Sequence, residues 1–544
     1  MTHCRPIGGA VYFVAFVLRV GIAVPLLAQG RMAPLPPPCA LGGASVAMNA
    51  VKRTPLSVAV IPLATGAGAS SVSFLSDGIA DAIARRISHA VPSIDVAGRS
   101  VQPRSSSDDA AALRTVNSQL GTRFLVTGNV TGGRQGTRVL IALYDGKLSK
   151  RVWQHSYDYD ALGALAIVHS ASREVASRMA GSLDSRQTEA LASASTTNRA
   201  AFESALRGDA AMNGSAFERA ADGYRRAVQL DRSFADAYAK LALADAALVS
   251  DGVEKATNGV VLLKEMRSAA AQAVSEAPNS AEAWLAEGRA RLLDGRATAA
   301  WRLAFEKAIA LDPTDPAILE SYGLALAETD DRTAARDVLR RAAAVGTRGA
   351  EITTALADLA VADKNDAAAC EFLNQAIKDD AMYGPAWAAR ALLRSRHDDL
   401  RFAWADAETA KQVGSALLGE SAAAIVDLKA RDTVHARLRL SDAWADVQSR
   451  GTISVREGRA LASAFIESGQ MPRALDVLEA VRPRGPLYAA TLRDPIFDRA
   501  RREPRFRAIV TPPSGRSPQA RLQGGALSRD SSFTLPRPVA HAGS

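Results

Sequence analysis

The sequence offers few groups of residues with the spacing that enzyme chemistry requires. Gly66, Ala67 and Gly68 follow a predicted strand, where a phosphate-binding loop would lie, but no Gly-Lys-Ser/Thr follows them. His155 and His169 have no His or Cys partner at metal-ligand spacing. The chain also lacks Gly-x-Ser-x-Gly and His-Glu-x-x-His. We therefore expect no catalytic residue, no metal ion and no cofactor.

The elements that could position a binding site repeat along residues 198–483. Small residues recur within apolar helical patterns, at steps of 34, 46, 35, 34 and 34 residues. An alanine recurs twelve residues after the small residue, as at Ala220, Ala335 and Ala369. A period near 34 indicates a helix–turn–helix unit whose helices cross closely at the small residues. These small residues are Gly208, Ala242, Gly288, Gly323, Ala357 and Ala391.

The pattern resembles the tetratricopeptide repeat, with Tyr238, Trp284 and Trp387 at the first aromatic position. The resemblance implies a mostly α fold, an α-solenoid whose concave surface binds peptides or protein segments. Two departures are a 12-residue excess between the second and third small residues and a weak pattern over about 414–450.

The resemblance also implies which residues line a peptide-binding groove, because the first helix of each unit supplies the concave surface. The mix of arginine, carboxylate and aliphatic side chains suits an extended peptide, and Arg289 and Arg396 could hold its carboxylates. The alternative for each position is an unused, solvated face. The residues at these positions are Leu285, Arg289, Leu292, Glu320, Leu324, Asp358, Leu392 and Arg396.

The first 54 residues resemble an export or anchoring region followed by a linker. Residues 1–30 combine Arg5 with a 12-residue apolar run, which is typical of a signal peptide, and a membrane anchor is the alternative. Another alternative is a start at Met32 or Met48. Residues 31–54 are proline-rich and predict an extended linker. Because two of the three cysteines precede the folded body, Cys370 is alone there, and we expect no disulfide framework.

Residues 55–185 predict a small α+β domain in the order β-α-β-α-β-β-β-α, a sandwich of one sheet with helices against it. The stretches FLSDGIADAIARRIS, GTRFLVTGNVTGG and RVWQHSYDYD resemble the domain related to the N-terminal domain of TolB. That family often precedes tetratricopeptide repeats in bacterial envelope and signalling proteins. The matching residues are Phe74, Asp77, Gly78, Ile79, Gly128, Val130, Tyr144, Trp153 and Tyr157.

Charge is concentrated at the C-terminal end of the chain. Of the net charge of +9 over 544 residues, +7 lies in residues 483–544, which contain 11 Arg and 4 acidic residues. Residues 484–510 resemble the closing segment of such arrays, and residues 511–544 predict a disordered basic tail. The tail has two interpretations, a solvated end or a contact for nucleic acid, acidic lipid or an acidic partner.

The combined patterns predict a non-enzymatic protein-binding scaffold of the bacterial cell envelope. Its expected partner is a protein or peptide in the repeat groove, with nucleic acid unlikely and membrane association through the N-terminal segment as an option. We expect a periplasmic location, or an inner-membrane anchor with the body in the periplasm. The alternative is a sensor or regulatory subunit of a membrane signalling system that lacks its own effector domain.

Overall fold

The chain folds into a small α+β domain followed by a solenoid of helical hairpins. This is the mostly α architecture that the repeats predict. The computed structural model describes residues 35–41, 56–66, 68–97, 121–132, 136–148, 150–193, 195–251, 256–294, 300–329, 331–345, 349–451, 453–481 and 495–510.

The α+β domain is built on one mixed sheet in the order β3-β1-β4-β5-β6, with β2 pairing β4. β1 runs parallel to β3 and β4, whereas β4, β5 and β6 form an antiparallel meander. The strands are β1 Ser57–Val60, β2 Ala64–Thr65, β3 Asp95–Val96, β4 Phe124–Thr131, β5 Arg138–Asp145 and β6 Lys150–Asp158.

Two long helices cover one face of this sheet. Ile79, Ile83 and Ile87 of α1 are fully buried, because the 3.6-residue period places them on the face that contacts the sheet. Ile167 and Val175 of α2 are in the same core. The predicted helix over Asp108–Leu120 lies outside the described residues. The helices of this domain are α1 Phe74–Ala90, α2 Tyr159–Ala180 and α3 Ser185–Ala192.

The array contains eight helical hairpins within the described residues, and consecutive helices pair as α4/α5 through α18/α19. Next-but-one helices also contact one another from α6 to α18, so the first helices of successive hairpins form a continuous row. The helices are α4 Arg199–Asn213, α5 Phe217–Leu230, α6 Ala235–Asp251, α7 Ala256–Glu276, α8 Ala281–Leu293, α9 Ala300–Leu311, α10 Pro316–Glu328, α11 Arg332–Val345, α12 Ala350–Ala362, α13 Asp366–Asp379, α14 Gly384–Arg396, α15 Leu400–Gln412, α16 Ala416–Lys429, α17 Thr433–Arg450, α18 Val455–Glu467 and α19 Met471–Val481.

The repeating small residues lie where the two helices of a hairpin cross. A Cβ on Gly208 would lie 2.6 Å from the ring of Tyr224, and one on Gly323 would lie 2.7 Å from Leu339. The larger residue of each unit therefore fills the space that the glycine leaves open. The same relation holds between Gly288 and Phe305, at 2.9 Å.

Both irregular parts of the sequence pattern are helical hairpins. The long step between small residues is taken up by longer helices, since α6 has 17 residues and α7 has 21. The weakly patterned stretch forms α16 and α17, where Leu440, Trp444 and Val447 are buried. Their core is shared with a closing segment of two short 3-10 turns and α20, Pro504–Val510.

The cysteine prediction is wrong, because Cys39 forms a disulfide with Cys370. The two Cα atoms are 5.9 Å apart, although 331 positions separate them in sequence. Residues 35–41 contain no helix or strand, and they lie on the array, where Cys39 and Leu41 pack against its core. The position of Cys39 in the sequence suggested that it lies outside the folded body, but the segment that carries Cys39 packs back onto the array.

The α+β domain packs directly on the first hairpin. Leu206 of α4 belongs to the core of the sheet domain, and a Cβ on Gly78 of α1 would lie 3.0 Å from it. Arg85 of α1 pairs with Asp209 of α4 at 3.0 Å. The two units thus share both apolar and ionic contacts.

Candidate binding surfaces of the array

The residues predicted to line the groove fall into two groups. Arg289, Glu320, Leu324 and Leu392 are partly buried, and Asp358 is exposed, so these five side chains reach the surface of the helix row. The other three differ in environment. Leu285 and Leu292 are buried in the helical core, and the exposed Arg396 lies 3.9 Å from Asp366 at the start of α13.

Glu320 of α10 lies among carboxylates in this row. Its pKa is raised to about 7, mainly by burial and also by nearby Glu351 of α12, while Arg289 of α8 opposes the shift. A Cβ on Gly349, just before α12, would lie 3.8 Å from a Glu320 carboxylate oxygen, which brings the two helices together at this point. Adjacent first helices therefore present their charges to one space.

Arg456 shows that the row is curved. It belongs to α18, and its Nη1 donates to the Tyr383 hydroxyl, just before α14, at 2.8 Å. It also acts electrostatically on Glu328 of α10, four hairpins away, whose side chain is exposed in the row. Neighbouring helices lie roughly 10 Å apart. The Arg456–Tyr383 hydrogen bond bridges α14 and α18 across α16, so the row bends toward the side that these two side chains occupy.

We call this surface the acidic groove. Among its described residues, four carboxylates and two guanidinium groups interact with one another. The repeat pattern did not indicate Glu328, Glu351 or Arg456. The four-residue spacing from Glu320 to Leu324 to Glu328 nevertheless places these three residues on one helix face. Its charged residues are Arg289, Glu320, Glu328, Glu351, Asp358 and Arg456.

A second polar cluster lies at the junction of the two units. Asp209 is 5% exposed and accepts hydrogen bonds from Arg85 at 3.0 Å, Lys240 at 2.9 Å and Tyr224 at 2.8 Å. Burial alone would raise the pKa of Asp209, but Lys240 and Arg85 outweigh it and lower the pKa to about 2. The charged groups of this cluster are paired with one another, so the cluster holds the α+β domain against the array.

Gly68 and His169, considered above as candidates for chemistry, have structural roles instead. Gly68 has φ +74°, and a Cβ there would lie 2.5 Å from the Gly132 carbonyl oxygen, so this glycine allows two backbones to touch. His169 contacts Arg86 at 2.7 Å, and burial together with Arg86 lowers its pKa to about 4, which keeps the ring neutral. Within the described ranges, no group of three or more metal-ligating side chains could hold an ion.

The described helices include none with the length and apolar composition that crossing a bilayer requires. The predicted signal peptide or anchor in residues 1–30 and the basic tail in residues 511–544 both lie outside the described part of the chain.

Comparison with known proteins finds only remote similarities. No known family model matches it, and no curated protein matches it. PilF of Pseudomonas aeruginosa is 16% identical, covers 40% of this chain and 98% of its own, and has a TM-score of 0.33. YrrB, a TPR protein with an unusual peptide-binding site, is 15% identical over 33% and 92%, with a TM-score of 0.27. Yeast Tom70 is 13% identical over 63% and 83%, with a TM-score of 0.36. These values carry no inference about a ligand.

Proposed function

We propose that the chain is an exported, non-enzymatic scaffold of the bacterial cell envelope that holds an extended segment of a partner protein in the acidic groove. The observation that carries this proposal is the position of Glu320, a partly buried carboxyl beside Glu351 in the groove. Burial and Glu351 raise its pKa to about 7, which means that its ionised form is held at a cost. A basic side chain of a ligand would offset that cost, so the partner segment contains Lys or Arg.

The disulfide supports the proposed location. Structural disulfides form and persist in oxidising compartments such as the bacterial periplasm and are rare in the cytosol. Cys39–Cys370 therefore favours export, which also agrees with a signal peptide in residues 1–30. We assign the α+β domain to a TolB-N-like role, docking near the envelope, on its strand and helix order and on the residues matched in sequence.

Site-specific photocross-linking in cells tests the proposed groove. Leu324 would be replaced by p-benzoylphenylalanine, because it lies between Glu320 and Glu328 and is only partly buried. The matched control carries the same group at Asp337, which is exposed on the second helix of that hairpin, α11. We expect an adduct at position 324 and none at 337, and peptide mapping of the adduct should find a basic segment.

A double charge reversal completes the design. Glu320→Lys with Glu351→Lys should abolish the adduct, whereas Glu218→Lys with Asp337→Lys, on the second helices, should leave it intact. Equal labelling at both photo-reactive positions, or an adduct that persists after the groove charges are reversed, would refute this site.

A further inference from the structure

The segment 35–41 is held on the array as a bound peptide. The Cys39 amide N–H donates to Asn374 Oδ1 at 3.0 Å, and Asn374 Nδ2 donates to the Cys39 carbonyl oxygen at 2.9 Å. One carboxamide of α13 thus pairs with both backbone polar groups of a single residue of the segment. This contact recognises the backbone rather than a particular side chain.

The groups that hold the segment are preorganised by a buried ionic network. Arg390 of α14 pairs with both carboxylate oxygens of Asp406 at 2.8 and 2.9 Å, and it also donates to Asn374 Oδ1 at 2.9 Å. Both Arg390 and Asp406 are at most 2% exposed. Asn374 is therefore oriented by the folded array itself, and its carboxamide points at the segment without needing it.

Arg394 supplies a second contact of the same kind. It is 3% exposed and donates from Nη2 to the carbonyl oxygen of Pro37. Its Nε lies 3.2 Å from an Asp406 carboxylate oxygen, which fixes the guanidinium in place. A buried charge that donates to the segment is a binding group, because leaving such a donor without an acceptor is costly.

The hydrogen-bonding groups of the segment complement those of this surface. Pro36, Pro37 and Pro38 have no amide N–H, so these residues present only carbonyl acceptors, and Arg394 donates to one of them. The first amide N–H after the prolines belongs to Cys39, and Asn374 accepts it. A run of prolines also favours the extended conformation before binding, which lowers the entropy lost on docking.

We propose that this surface of α13 and α14 is a peptide site for extended, proline-containing segments, distinct from the acidic groove, and that residues 35–41 are its intramolecular ligand. The Cys39–Cys370 disulfide makes that ligand permanent. A dithiol reductant would cleave the S–S bond by exchange, giving two thiols in this chain and a disulfide in the reductant. The segment then dissociates reversibly, and an equivalent proline-rich segment of another chain takes its place.

Cys370 is positioned for this control. It lies four residues before Asn374 on α13, so the disulfide and the carboxamide are on the same helix face. After reduction the segment still competes from the same chain, at an effective concentration of order millimolar. External segments therefore compete with it only once the covalent link is gone.

Peptide binding to the full chain tests the proposal. The probe is a fluorescent peptide with the sequence of residues 33–42 and serine in place of cysteine, and its control is the same composition in scrambled order. The host carries Cys39→Ser with Pro36→Gly, Pro37→Gly and Pro38→Gly, so that its own segment no longer competes. We expect the ordered probe to bind at least tenfold more tightly than the scrambled one in fluorescence anisotropy.

Two further host substitutions locate the site. Asn374→Ala should weaken probe binding at least tenfold, whereas Gln375→Ala should leave it unchanged, because Gln375 bonds to Asp379 and does not contact the segment. The wild-type chain should bind the probe only after reduction with dithiothreitol. Equal binding of ordered and scrambled probes, equal effects of the two substitutions, or equal binding by oxidised and reduced wild-type chain would each overturn the proposal.

A second measurement uses the same host, in which Cys39 is serine. The ordered peptide is added with its cysteine as an activated mixed disulfide, the Cys370 thiolate displaces the activating thiol to form a peptide–Cys370 disulfide, and adducts are mapped by mass spectrometry. Coupling at Cys370 should be at least tenfold greater with the ordered peptide than with the scrambled one. Coupling without that preference would mean that the surface does not recognise the segment.

Discussion

Asp209 on α4 and Asp245 on α6 are both buried, yet their pKa values move in opposite directions. Lys240 and Arg85 lower the pKa of Asp209 to about 2, despite burial. Burial and Glu265 raise the pKa of Asp245 to about 8, and neither of its carboxylate oxygens has a hydrogen-bond partner. The number of cations within reach decides which carboxyl is ionised at neutral pH.

Replacing Asp245 with asparagine should stabilise the array in mildly alkaline solution. The folded pKa of about 8 lies above the ordinary value of 3.8, so wild-type stability falls as pH rises from about 4 to about 8. The slope is about 1.4 kcal/mol per pH unit. Asp245→Asn removes this slope, so its melting temperature should exceed that of wild type at pH 8.5 and match it near pH 4.

The exposed carboxylate Glu218 provides the control for this comparison. Glu218→Gln should leave the melting temperature within one or two degrees of wild type at both pH values, since surface changes contribute little. A melting temperature of Asp245→Asn that stays below wild type at pH 8.5 would show that the carboxylate is paired.

Asp209→Asn should have the opposite effect. The folded pKa of about 2 lies below 3.8, so the stabilising contribution is complete above about pH 4 and is lost as pH falls through 2. Removing the charge leaves Lys240 and Arg85 without their buried partner, which costs roughly 3 kcal/mol. Thermal unfolding at pH 7 measures this loss, and the difference from wild type should shrink near pH 2. A gap that is unchanged at low pH would contradict the ionic explanation.

The distance between the two helices of a hairpin is set by the small residues where they cross. Gly223 of α5 faces Gly208 of α4, and a Cβ on Gly223 would lie 2.8 Å from the Gly208 backbone. Backbone atoms cannot rotate away as a side chain can, so the hairpin would have to open. Gly214, in the turn between the two helices, has its nearest neighbours at 3.6 Å.

These two glycines give a matched pair of substitutions. Gly223→Ala should destabilise the first hairpin by about 1–3 kcal/mol, because overpacking forces the helices apart. Gly214→Ala should be nearly neutral, since its φ of −87° is accessible to alanine. Hydrogen exchange of α4 and α5 measures the difference, and equal protection in the two variants would show that the close crossing is not required.

At the scale of the molecule, the disulfide joins the two ends of a loop that contains the α+β domain and the first part of the array. The closed loop extends from Cys39 to Cys370 and therefore contains every described element from β1 to α12. A cross-link over this separation limits the unfolded chain, and the loop-entropy estimate for 331 residues is about 6 kcal/mol. Because a repeat array can unfold in steps, a single unfolding transition shows only part of this stabilisation.

Cys370→Ser should therefore lower the melting temperature of the oxidised protein by several degrees. The control is Gln375→Ala on the same helix, which leaves the Cys39–Cys370 pair in place and should melt like wild type. Peptide mapping under non-reducing conditions should find the two cysteines linked in wild type. Identical melting of the Cys370→Ser and wild-type proteins after oxidation would contradict a stabilising role.

Local periodicity determined most of the fold. The steps of about 34 residues predicted the hairpins because each crossing needs a small residue opposite a large one, a rule that repeats within each unit. Where the pattern weakened, in α16 and α17, packing of Leu440 and Trp444 against neighbouring hairpins supplied what the local signal did not.

Contacts between residues far apart in sequence were decided only by the tertiary structure. The sequence indicated a concave surface and named Arg289, Glu320 and Asp358, but it could not show that Arg456 returns to Tyr383 across 73 positions. It also left Cys370 unpaired, because the partner lay in a segment that looked like a linker. Repeat spacing fixes how neighbouring helices meet, whereas the cumulative curvature of the stack and the return of the segment 35–41 depend on packing across many units.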